Sequence, residues 1–184
     1  MTDEITPGTG GFIDPGSIVG GFGVQQGMKI ADFGAGSGYF TILLGQLVGE
    51  GGVVVALDVL DSALDTIRSK TELNGLNNIR TVRADLEVLG STELSDESQD
   101  IVLMANILFQ SQKKEEISRE AHRILVPNGK LFVIDWKKGA GGGPPDNLRL
   151  LPGDMQRVIE EAGFNLESSF DAGYYHYGLK FIKR

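Results

Sequence analysis

Cysteine is absent from the 184 residues, which excludes disulfides, thiolate metal sites and any mechanism built on a cysteine nucleophile. Long apolar runs are also missing. None approaches the roughly 20 residues that cross a bilayer, and the opening "MTDEITPGTGGF" has neither the basic nor the apolar region of an export signal. A cytoplasmic protein without a membrane span is the expectation. Positive charge is scarce: 17 Lys and Arg stand against 25 Asp and Glu, a formal net charge of -8. Capture of nucleic acid relies on the opposite sign, so a small-molecule partner is expected instead. Histidine occurs only twice, and no dense His/Asp/Glu pattern suggests a metal.

Glycine, by contrast, is abundant and clustered. It crowds residues 8–27, the stretch "GAGSG" at 34–38, and "GAGGGPP" at 139–145, the last a flexible linker or loop composition. Between these clusters, short β-branched runs alternate with amphipathic ones: "MKIADFG" then "YFTILLGQLVGE", "VVVALDV" then "SALDTIRSKTELNG", "IVLMANIL" then "KKEEISREAHRIL", "KLFVIDWK" then "PGDMQRVIEEAG". Strand and helix taking turns in this way predict a doubly wound α/β fold, a mostly parallel sheet with helices on both faces. The last two runs, "FNLESSFDA" and "YHYGLKFIK", are separated only by a glycine-containing turn and predict an antiparallel C-terminal edge. Residues 27–184 read as one domain, preceded by a glycine-rich segment, 1–26, whose helix would be weak enough to serve as a lid.

Open parallel sheets bind ligands beyond the carboxyl ends of their strands. The first predicted strand ends at Phe33 and runs into Gly34, Gly36 and Gly38, a turn that lets a ligand lie on bare backbone at a helix N-terminus. The second ends at Asp58, where a carboxylate can accept both hydroxyls of a ribose. Tyr39 stands where a dinucleotide fingerprint needs its third glycine, which counts against nicotinamide. Asp32, ahead of the first glycine, would repel a pyrophosphate but attract an ammonium and a sulfonium. S-adenosylmethionine carries both.

With "ADFGAGSGYFT", "VVALDV", "RADLE", "DIVLMANIL" and "AHRILVPNGKLFVIDWK" in this order, the sequence resembles the class I S-adenosylmethionine-dependent methyltransferases, in particular the small enzymes similar to ubiquinone/menaquinone biosynthesis C-methyltransferases. The resemblance implies a Rossmann-like sheet of seven strands. It also implies that the loop with Gly34, Ala35, Gly36, Gly38 and Tyr39 lies under the methionine part, and that Asp32 holds its amino group. Asp58 would bind the ribose and Val59 would lie against the adenine, whose edge Asp85 and Leu86 would read. Asn106 would face the methionine portion and the acceptor. S-adenosylhomocysteine would be the product.

The acceptor side carries fewer signals. Methyl transfer from a sulfonium needs alignment more than a catalytic group. Where a base is needed, Asp135 at the end of the fifth strand and His176 in "YYHY" are the candidates. Asp100 opens its strand rather than ending it, and His122 sits within a helix; both read as structural. A small apolar or phenolic acceptor is expected, with a second subunit in a homodimer as one way to complete a small pocket. The alternative is a non-catalytic nucleoside-binding module.

Overall fold

The computed structural model describes residues 13–184. The chain alternates α1 (Pro15–Val19), β1 (Lys29–Phe33), α2 (Tyr39–Val48), β2 (Val53–Asp58), α3 (Asp61–Leu73), β3 (Ile79–Arg83), β4 (Gln99–Ala105), α4 (Lys114–Ile124), β5 (Leu125–Trp136), α5 (Pro152–Glu161), β6 (Phe164–Asp171) and β7 (His176–Lys183). The seven strands form one sheet in the order β3-β2-β1-β4-β5-β7-β6. The first five are mutually parallel, and β7 is antiparallel to both β5 and β6. The terminal pair is antiparallel as its short turn predicts, but β6 takes the edge and β7 lies one position in.

Sheet residues alternate between two cores, as the pleat requires. Phe33, Val102, Met104, Leu131, Val133 and Tyr177 pack beneath α4 and α5 with Ile117, Ala121 and Met155. Ile30, Val54, Leu103, Phe132 and Ile134 pack beneath α1 and α2 with Ile18, Phe22, Phe40 and Leu44. Strands covered on both faces must be apolar throughout, and this is why they read as unbroken runs.

The first half of the glycine-rich segment, residues 1–12, lies outside the described residues. In its second half, Asp14 caps α1 through the Gly16 amide at 3.0 Å, and the helix gives way at Gly20 to a single tight turn that ends at Gly23 in a left-handed conformation. Ile13, Ile18, Val19 and Phe22 are buried, and the Phe22 ring stacks on Phe132 at 4.0 Å. Among the described residues no helix is long and apolar enough to cross a membrane, and no cluster of His, Asp and Glu could hold a metal.

Candidate functional site

The strand order reverses between β1 and β4, and β1 ends there in the turn 34–38. Gly34, Gly36 and Gly38 all take positive φ, yet for different reasons. A Cβ on Gly34 would come within 2.2 Å of Ile107, and one on Gly38 within 2.6 Å of Ile67. Packing demands glycine at both. A Cβ on Gly36 would meet only a carbonyl oxygen at 4.0 Å, so its bare face looks into open space where a ligand can approach the backbone.

Two carboxylates flank this turn. Asp58 accepts the Gly36 amide at 2.9 Å through Oδ2 and the Leu60 amide at 3.0 Å through Oδ1, and each oxygen keeps a lone pair for a ligand hydroxyl. Asp32 points toward α2, where its Oδ2 accepts the Thr41 hydroxyl at 2.6 Å. Its side chain is only 2% exposed. Burial pushes its carboxyl up to about 6; the Thr41 bond works against this and the nearby Asp58 charge adds to it. A cation beside Asp32 would relieve both costs.

The turn separates two cavities. The smaller, about 210 Å³, is lined by Asp32, Gly34, Ala35, Gly36 and Tyr39, with Ile13, Phe40 and Ala105. The larger, about 560 Å³, is lined by Asp58, Val59, Asp85 and Leu86, with Glu87, Gln110 and Ser111. Gly34, Gly36 and Asn106 line both, so the two meet at the end of β4. Asn106 has a left-handed backbone, φ +58°, and its buried Oδ1 has no hydrogen-bond partner. A non-glycine residue in that conformation, with an orphaned acceptor at the junction, suits a group that accepts from a ligand. Val59 and Leu60 expose apolar side chains at the rim of the larger cavity. Glu87 is fixed there by the Ser111 hydroxyl at 2.8 Å.

A methyltransferase-domain family model matches residues 24–171. The chain belongs to that family. It is 36% identical over 117 residues to a ubiquinone/menaquinone biosynthesis C-methyltransferase UbiE from Shewanella sp. (strain W3-18-1), a match covering 63% of this chain and 45% of the relative. The corresponding protein of Azotobacter vinelandii is 34% identical over the same length. The match thus spans about half the length of these curated relatives. The crystal structure of a SAM-dependent methyltransferase from Aquifex aeolicus superposes with a TM-score of 0.86 at 26% identity, covering 94% of this chain and 91% of that one.

Within this methyltransferase domain, all the residues expected around the cofactor line the cleft except Gly38, which borders a separate groove between α1, α2 and α3. Neither candidate base lines either cavity. Asp135, 1% exposed, lies opposite Tyr177 in the strand register, on the face covered by α4 and α5. Burial raises its carboxyl to about 6, against the opposing effects of the Trp136 and Phe109 amides and Lys114. His176, fully buried, pairs with Trp136 on the other face, ring to ring at 4.1 Å. β7 begins at His176, and Tyr174 before it is exposed. Asp100 accepts the Lys29 amide at 2.8 Å at the far end of the sheet. His122 packs edge-on against Phe164 at 5.3 Å. Sequence reasoning missed Thr41, Glu87, Gln110 and Ser111. Thr41 stands nine residues from Asp32, and that interval alone gives no reason to pair them before the turn is known.

Proposed function

We propose that this chain binds S-adenosylmethionine along the cleft and transfers its methyl group to a small apolar or phenolic acceptor. The observation that carries this reading is the pair of differently set carboxylates on one glycine turn. Asp32 is buried, costly to ionise and in need of a cation, while Asp58 is fixed by two amides and ready to accept hydroxyls. Bound S-adenosylmethionine supplies a sulfonium-activated methyl group. Asp32 takes its ammonium beside Gly34, Ala35, Gly36 and Tyr39; Asp58 takes the ribose hydroxyls; Val59, Asp85 and Leu86 hold the adenine. Asn106 stands where the two cavities join and would face the methionine portion and the acceptor. The domain's contribution to rate is alignment and exclusion of water, which an in-line displacement from a sulfonium chiefly requires. No step is assigned to Asp135 or His176. The quinone-pathway names of the UbiE relatives support quinols as the first acceptors to try.

Calorimetric titration with S-adenosylmethionine and S-adenosylhomocysteine tests the reading. Micromolar binding that Asp58→Ala abolishes, followed by label transfer from cofactor to a quinol or phenol, is the expected result. Binding without transfer to any acceptor would leave a nucleoside-binding module, and no binding at millimolar ligand would overturn the site.

A further inference from the structure

The glycine-rich segment after β5 is built around a buried cation. Arg149 is 4% exposed, and main-chain carbonyls of its own loop surround its guanidinium. Nε donates to Pro144 O at 2.9 Å, Nη1 to Lys137 O at 2.9 Å, and Nη2 to Pro144 O at 2.6 Å and to Gly142 O. Asp146 lies 3.6 Å from Nε and also accepts the Gly139 amide at 2.8 Å. Only a planar fork of five donors can satisfy several carbonyls in one plane; an ammonium cannot.

This loop lies on Trp136. A Cβ at Gly143 would fall 2.4 Å from the indole ring, and the Arg149 guanidinium is 5.5 Å from its centre. Beneath are His176 and, on the same face of β5, Ile134 and Phe132. Ile134 is the register partner of Ala105, which lines the smaller cavity. Loop, indole and methionine-end cavity therefore share one face and one end of the sheet. An acceptor attacking in line must reach the methyl group from beyond the smaller cavity, and Trp136 stands two residues past Ile134 on that face.

We propose that Arg149 is a positioning residue that folds residues 137–149 into a wall over Trp136 and His176, against which a planar, mostly apolar acceptor is held. The proposal rests on the reading of the cleft as the cofactor site. Trp136 is the single tryptophan of the chain, so its fluorescence reports on this wall alone. With wild-type protein saturated in S-adenosylhomocysteine, naphthohydroquinone is expected to quench Trp136 saturably. Arg149→Met is expected to raise the quenching midpoint by about tenfold or more while S-adenosylhomocysteine affinity, measured by calorimetry, stays within about twofold. Arg149→Lys keeps the charge but loses the fork and should resemble Arg149→Met. Gly143→Ala keeps the guanidinium and its carbonyls yet pushes a methyl group into the indole, and should shift the midpoint in the same direction.

A role confined to stability would lower both affinities together, and that result overturns the proposal. So does an unchanged quinol titration in Arg149→Met and Gly143→Ala, or the absence of saturable quenching in wild-type protein that binds S-adenosylhomocysteine. If wild-type protein binds no S-adenosylhomocysteine, the cofactor reading itself has failed.

Discussion

A carboxylate with almost no solvent contact and one hydroxyl donor is a costly place to keep a negative charge, and Asp32 occupies such a place beside the second acid, Asp58. Its carboxyl is raised from 3.8 to about 6, so the folded protein holds a proton there that the unfolded chain has already released. Stability contributed by this group is full below about pH 4 and is lost as the pH rises through 6. Asp32→Asn is therefore expected to stabilise the ligand-free protein at pH 7.5, by on the order of 1–3 kcal/mol, and to lose that advantage near pH 4. Thermal melts across this range check it. The same substitution should abolish cofactor binding, and wild-type affinity should fall as the pH drops below 6 and the acid takes up its proton. Thr41→Val removes the donor that favours the ionised form, and should move that break in affinity to higher pH; Thr41→Ser should restore it. Calorimetric titrations at several pH values separate these outcomes.

At the level of elements, α4 anchors the connection that runs from Asp85 to β4. Buried Glu120 accepts the Gly90 amide at 2.8 Å and pairs with Arg123 at 2.6 Å, and Arg123 reaches back to Leu94 O at 2.8 Å and Asp96 at 2.6 Å. Burial alone would raise the Glu120 carboxyl, but the hydrogen bonds from Arg123, Thr92 and Gly90 outweigh it and hold it below the ordinary value. Its contribution to stability is present at neutral pH and lost as the pH falls through that lowered value. Glu120→Ala leaves Arg123 its bonds to Asp96 and Leu94 O but takes the acceptor from the Thr92 hydroxyl and the Gly90 amide, and should cost about 1–3 kcal/mol in chemical denaturation at pH 7. None of this network announces itself in the sequence. The strand ends do, because parallel strands covered on both faces are continuous apolar runs: that of β1 stops at Phe33 against a glycine turn, and that of β2 is closed by the acid Asp58. Arg149 gave no such sign: its partners are main-chain carbonyls, which every residue has, and the glycines around it suggest looseness until the guanidinium that orders them is seen.

For the molecule as a whole, the alternation of strand and helix made the doubly wound sheet legible, together with the end of it that holds the cleft. The position of the last strand was less so. A short turn between β6 and β7 says that they pair, not which of them bonds to β5, because either order satisfies the same alternation of side chains. Burial separates the two, since β7 is buried along most of its length and β6 is exposed along most of its own. Gly178 of β7 stands opposite Ile134 on one side and Phe170 on the other, and a Cβ there would fall 2.2 Å from the Phe170 ring. Gly178→Ala is expected to destabilise the protein by about 1–3 kcal/mol, read as a lower denaturation midpoint.

Since β7 bonds to β5 on one side and β6 on the other, a chain emerging from the ribosome cannot close its sheet in the order in which it is made. β5 waits with an open edge while α5 and β6 pass by, and β6 has no strand to join until the residues up to Lys183 are free of the exit tunnel. Slowed translation between β6 and β7 would prolong a state with an unpaired edge, the form most open to pairing with other chains.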